Sequence, residues 1–221
     1  MAFAMSEPCR LYVISPPVIA DAARFVDLFR SAMSGGDIAC FQLRMKSPEG
    51  VAAPDADILR VAEAILPVAR AAGVHFLIND RPDLARRVGA DGVHVGQQDA
   101  GYAEARRILG GDATIGVTCH NSCDLAMRAG EAGADYVAFG AFFPTRTKEA
   151  STRADPSLLE NWSMATTVPC VAIGGITAEN CAPLVRAGAD FVAVSGAVWN
   201  DADGPAKAVA RLTAAICAAR G

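Results

Sequence analysis

The run Gln42-Leu43-Arg44-Met45-Lys46 ends the second apolar, β-like stretch of a 221-residue chain. Side chains on an extended strand alternate between faces, so Gln42, Arg44 and Lys46 share one face and Leu43 and Met45 the other. Two cations and an amide in one row suit a polyanion such as pyrophosphate. The plainer reading is a pair of solvated rim charges. The next two apolar stretches end in Asn79-Asp80 and in His94-Val95-Gly96-Gln97-Gln98-Asp99. Asp80 and Asp99, with phosphate oxygens and water, make an oxygen-rich shell of the kind that Mg²⁺ takes. Each Asp also suits the N-cap of a following helix. Thr118 can donate to an anion, and His120 close by is either an acid–base group or a packing residue. Pro144-Thr145-Arg146-Thr147-Lys148 adds a second polar cluster, or else an ordinary solvated loop. Farther on, Val168 to Ile173 ends in Gly174-Gly175, and Phe191 to Val194 ends in Ser195-Gly196. Glycines there leave backbone N–H groups open to an anion; alone, they would serve only tight turns. Paired strand-end loops of this kind, late in a (β/α)8 barrel, favour a phosphate site.

These groups need a scaffold that brings many strand ends together. β-like runs cover Leu11 to Ile14, Ile38 to Leu43, Val74 to Ile78, Gly92 to Val95, Thr114 to Val117, Tyr136 to Phe139, Val168 to Ile173 and Phe191 to Val194. Helical patterns separate them, including one from Thr177 to Ala187. Eight strand–helix units argue for an α/β fold, a parallel (β/α)8 TIM barrel in one domain over residues 1–221, with residues 1–9 a flexible leader. No GxGxxG follows the first strand, which weighs against a dinucleotide fold. Gly89, Gly133 and Gly188 sit in a repeated Gly-Ala step before strands, and each reads as a left-handed helix end. Pro67 should kink or end the Ile58 to Arg70 helix. In the last helix Ala208, Val209, Leu212, Ala215 and Ile216 form one apolar face. Residues 47–56 (SPEGVAAPDA) form the longest turn-rich stretch, a mobile flap on the catalytic face or a passive linker.

Composition narrows the function classes. The apolar fraction of 52% is enough for a large core. A net charge of −4 provides no global basic field for nucleic acid. No apolar segment reaches about 18 residues, so no membrane span is read. The start lacks a charged-then-apolar leader, and Met5 is an alternative first residue. Seven cysteines, most in apolar runs, point to reduced thiols and a cytoplasmic protein. Cys119 and Cys123 have no partner pair at zinc-ligand spacing. The sequence is compatible with a monomer or a homo-oligomer.

The ordered motifs resemble thiamine-phosphate synthases. QLRMK at 42–46, INDR at 78–81, GVHVGQQD at 92–99, GVTCH at 116–120, PTRTK at 144–148, AIGGIT at 172–177 and VSG at 194–196 follow that family's order and spacing. The resemblance implies Mg²⁺-dependent joining of a hydroxymethylpyrimidine diphosphate to a thiazole phosphate, two phosphorylated small molecules, with release of pyrophosphate. It implies that Gln42, Leu43, Arg44, Met45, Lys46, Asn79, Thr118 and Lys148 hold the pyrimidine diphosphate. Asp80 and Asp99 would bind Mg²⁺. Thr145, Arg146, Thr147, Gly175, Val194 and Ser195 would hold the thiazole phosphate. Arg44, Lys46 and Lys148 would stabilise the leaving pyrophosphate. Met45 stands where the family usually has an acid, Thr118 where Ser is usual, Ala141 where Pro is common and Val194 where Ile is.

Three rivals stay open at this point. The thiazole tautomerase paralogues use a His like His120, yet tend to lose the second Asp and the PTxTK run that are intact here. Another phosphate-handling barrel would need a carboxylate or Lys base, and fold alone does not exclude it. A non-catalytic ligand-binding protein would tolerate degraded polar clusters, and none is degraded here.

Overall fold

The computed structural model describes residues 8–97, 101–145 and 152–220. Eight strands alternate with helices along the chain: β1 (Arg10–Ile14), α1 (Ala22–Ser34), β2 (Ile38–Leu43), α2 (Asp55–Ala71), β3 (His75–Asn79), α3 (Pro82–Val88), β4 (Gly92–Val95), α4 (Tyr102–Leu109), β5 (Thr114–His120), α5 (Cys123–Glu131), β6 (Tyr136–Phe139), α6 (Ser157–Ala165), β7 (Cys170–Ile173), α7 (Ala182–Arg186), β8 (Phe191–Val194), a short α8 (Gly196–Trp199) and α9 (Pro205–Ala219). The strands close into one barrel in sequence order, and each pairs in parallel with its neighbour. The structure is the single-domain (β/α)8 barrel that the alternation implies.

Two apolar layers follow from the two faces of each strand. Tyr12, Ile14, Cys40, Leu77, Tyr136, Val171, Phe191 and Ala193 fill the barrel interior. Leu11, Val13, Phe41, Leu43, Phe76, Ile78, Val93 and Val137 point outward and pack under the helices. The last helix buries Ala208, Val209, Leu212 and Ile216 as its pattern implies. Burial on both faces explains why the strands read as near-continuous apolar runs.

The Gly-Ala steps have a structural meaning that extends one residue beyond them. Gly89, Gly133 and Gly188 all take positive φ, which costs glycine little. The Asp after each step then clamps the preceding strand. Asp91, Asp135 and Asp190 donate their backbone N–H to the carbonyls of Phe76, Ile115 and Cys170. Their carboxylates accept the N–H of those same three residues, each at 2.8 Å. Asp37, just before β2, instead holds the Arg10 guanidinium. The lower rim of the barrel is thereby tied strand to strand, and the upper rim is left for loops.

Several local expectations are corrected. The second helix runs through Pro67 to Ala71 and does not end there. Pro67 is solvent-exposed, while Ile58, Leu59, Val61, Ala62, Ile65, Leu66 and Ala69 are buried against the barrel. That packing outweighs one missing backbone hydrogen bond. The helix after β7 begins at Ala182 and not at Thr177, because Asn180 folds back to accept from Thr177 N and to donate to the Gly175 carbonyl. Residues 45–53 form a hairpin-like return, with Ala53 N donating to Met45 O (2.8 Å) and Ser47 N to Val51 O (2.8 Å). The second helix starts inside the predicted loop, at Asp55. Of the expected flexible leader, residues 1–7 lie outside the described residues, and Cys9 is buried. All seven cysteines are free thiols; five are buried, and Cys123 and Cys217 are exposed. No helix among the described residues is long and apolar enough to cross a membrane.

Candidate active site

The C-terminal ends of the strands open into a cavity of about 420 Å³ lined by polar groups from nearly every strand. Two other concavities of similar size lack this convergence. One sits at the lower rim around Arg10, Asp37 and Arg220, and the other lies beside the mouth, behind Leu43 and Met45. Barrel chemistry belongs at the C-terminal end, and the mouth is therefore the candidate site.

The β2 end behaves as alternation requires. Gln42, Arg44 and Lys46 line the mouth. Leu43 and Met45 are buried among the helices, so any ligand contact they make comes from the main chain. Lys46 Nζ reaches Asp80 Oδ2 at 2.7 Å. Asp80 does not cap the next helix: its N-cap residue is Arg81, which makes no side-chain cap bond. Asp80 instead turns its carboxylate into the mouth, with its backbone N–H on the His94 carbonyl (2.8 Å). Asp80 and His120 are the only non-glycine residues with positive φ among those described. Both line the mouth. Side chains in that region of backbone space carry a cost, and such residues concentrate at functional sites.

Across the barrel the wall is built from backbone. Gly174 and Gly175 take φ of 104° and 64°. A Cβ on Gly174 would lie 2.4 Å from Ala141 Cβ, and one on Gly175 would lie 2.3 Å from the Pro144 carbonyl oxygen. The loop after β6 is stitched to this turn, with Phe142 N donating to Ile173 O and Phe143 N to Gly174 O. These glycines are required by close packing as well as by turn geometry, and the result brings Thr145 into the same mouth. The adjoining β8 end contributes Val194, Ser195 and Gly196. Ser195 Oγ donates to the Ser15 carbonyl at 3.1 Å, so its proton is engaged within the protein. Ser15 Oγ in turn accepts from Arg44 N (2.9 Å), and this one residue joins the ends of β1, β2 and β8.

Below the mouth runs a line of polar contacts that the motifs do not announce. Gln42 touches Asn79 and Tyr12, Tyr12 touches Tyr136, and His94 bridges Tyr136 and Thr118. Tyr12, Ser15, His94 and Tyr136 are the residues that sequence reasoning missed. Inward alternation from Ile14 and Ala138 was the available signal for the two tyrosines. Cys119, next to Thr118, is fully buried in the apolar layer under the helices, and burial pushes its thiol up to about 12.

Asp99, Arg146, Thr147 and Lys148 lie outside the described residues. Of the described acids, Asp80 supplies a hard oxygen donor at the mouth, which is the donor chemistry Mg²⁺ takes.

Comparison with known proteins adds an independent line. Residues 11–198 match the family model described as thiamine monophosphate synthase. The chain is 58% identical over 202 residues to a thiamine-phosphate synthase of Rhodospirillum centenum, covering 91% of this chain and 95% of that one. It is 54% identical over 200 residues to the Hyphomonas neptunium thiamine-phosphate synthase, covering 90% of each chain. Among solved structures it is similar to a thiamine phosphate pyrophosphorylase from Pyrococcus furiosus, with a TM-score of 0.82, 29% identity, and 96% and 97% of the two chains covered.

Proposed function

The chain belongs to the thiamine monophosphate synthase family and is a transferase of thiamine biosynthesis, and we propose that it joins an aminopyrimidine methyl diphosphate to a thiazole phosphate and releases pyrophosphate. The observation that supports this reading is one mouth with two unlike polar walls, each suited to an anion. Arg44 and Lys46, with Asp80, form one wall, and the glycine turn with Thr145 and Ser195 faces or adjoins it. Two phosphorylated substrates need two such places.

The residues then divide the work. Gln42 and Asn79 orient the pyrimidine. Arg44 and Lys46, with Lys148 as the family resemblance implies, would bind the diphosphate, whose negative charge grows as the carbon–oxygen bond breaks. Cations placed there act more on the transition state than on the ground state. Asp80 and Asp99 would hold Mg²⁺. Bound there, the ion would supply further charge neutralisation for the leaving group. The thiazole nitrogen attacks through its own lone pair, so no general base is required. Gly175, Val194, Ser195 and Thr145 to Thr147 hold the second phosphate and align the nitrogen with the methylene.

The test is to mix purified protein with both halves, with and without Mg²⁺, and follow pyrophosphate. Release is expected only with both halves and the metal. Release from the diphosphate alone would indicate a hydrolase, and no release would favour another barrel activity. Asp99→Ala is expected to lower turnover and raise the Mg²⁺ requirement; unchanged metal dependence would remove Asp99 from the proposed metal site, and the cap of the next helix is Gly101 in any case.

A further inference from the structure

Ser15 is the residue at which the two sides of the mouth meet. It follows the last residue of β1 and is 1% exposed. Pro16 and Pro17 come next. A residue before proline is held to extended backbone, and prolines carry no N–H with which to continue the sheet. The chain is therefore stiff where β1 gives way to its loop. Each polar atom of Ser15 then has its own task. The N–H donates to the Gln42 carbonyl at 3.0 Å and prolongs the pairing of β1 with β2. The Oγ donates to the Pro16 carbonyl at 3.0 Å and accepts from Arg44 N at 2.9 Å. The carbonyl accepts from Ser195 Oγ at 3.1 Å. One residue earlier, the Ile14 carbonyl accepts from Trp199 Nε1 at 2.6 Å. That bond ties α8, whose N-cap residue is Ser195, to the same strand end.

We propose that Ser15 is a positioning residue that aligns the two bound anions with each other. Ser15 itself does not line the mouth, whereas Arg44 and Ser195 do. Its side chain holds the main chain of Arg44, and its main chain holds the side chain of Ser195. The spacing of the two phosphate places is set through this one buried residue. The proposal rests on the function proposed above, in which Arg44 meets the diphosphate and Ser195 the thiazole phosphate. Arg44 lies just past the last residue of β2, where a side chain swings with its own backbone. Loss of the Ser15 Oγ loosens Arg44 there. It leaves the Ser15 carbonyl, and with it Ser195, in place. Two ligands held a little out of line still bind, and the reaction between them suffers more than either affinity.

The test uses the full chain and two substitutions. Ser15→Ala removes Oγ and keeps the carbonyl. Its affinity for pyrophosphate with Mg²⁺, read by calorimetry, is expected to fall about fivefold, as for the loss of one hydrogen bond. Affinity for the thiazole phosphate is expected to stay unchanged. In coupling, kcat is expected to fall further, by about 30-fold. Ser15→Cys keeps a weak acceptor in a similar volume and should lie between wild type and Ser15→Ala in both pyrophosphate affinity and kcat. It also carries the comparison should Ser15→Ala fail to fold. A purely structural role would lower thermal stability and weaken both ligands alike. Equal loss of the two affinities, or a kcat that falls no further than the pyrophosphate affinity, overturns the proposal. Pyrophosphate binding is read without turnover. A wild type that fails to couple the two halves therefore sinks the function proposed above, and the tie from Ser15 to Arg44 then stands or falls on the two affinities.

Discussion

The two walls of the mouth are made in different ways. The β2–β3 wall is side chain: Arg44, Lys46 and Asp80 line the mouth from just past the ends of β2 and β3, with Arg44 N held by Ser15 Oγ and Asp80 N by the His94 carbonyl. The β6–β7 wall is backbone: Gly174 and Gly175 approach the 141–144 loop so closely that no side chain fits. The difference determines how each can fail. A side-chain wall can lose its charge while the barrel stays folded. The backbone wall cannot be altered without moving the loop that carries Thr145.

The largest effect should come from the side-chain wall. Lys46→Ala is expected to lower kcat/KM for coupling by about 10²–10³-fold, with an unchanged circular dichroism spectrum. A variant that folds and keeps near-full activity would break the comparison at its stronger side. Gly175→Ala comes next, because it meets both positive φ and the Pro144 carbonyl. It should cost about 1–3 kcal/mol of stability and raise KM for the thiazole phosphate, as read by thermal denaturation and kinetics. Full stability there would show that the turn is not needed for packing. Ser195→Ala should weaken thiazole-phosphate binding only by about 1 kcal/mol, since its hydroxyl is engaged with Ser15. The smallest change is expected from His120→Ala, with coupling nearly unaffected; a large loss there would revive the tautomerase reading.

The side-chain wall was also the more legible in sequence. A strand has a fixed period of two, so one correct run places Gln42, Arg44 and Lys46 on the mouth and Leu43 and Met45 on the helices. The barrel itself was readable for a similar reason, since eight strand–helix units recur and three of them carry the same Gly-Ala step. The Asp that follows each step was not read, because its partner belongs to a different strand. The polar line was hidden more completely: Tyr12 and Tyr136 are 124 positions apart and meet only because the sheet closes. At Pro67 the helix continues and does not end, because burial of the other helix face outweighs one lost backbone hydrogen bond. Ser195 was read correctly as a mouth residue, but its engagement with Ser15 depends on β1 and β8 lying side by side.

The central claim is that the mouth holds two separable anion sites, and calorimetry tests it directly. Pyrophosphate with Mg²⁺ and the thiazole phosphate would each be titrated into wild type, Arg44→Ala and Gly175→Ala. The account predicts that Arg44→Ala loses pyrophosphate affinity and keeps the thiazole phosphate, while Gly175→Ala does the reverse. Loss of both ligands in both folded variants, or a reversed pattern, would contradict it.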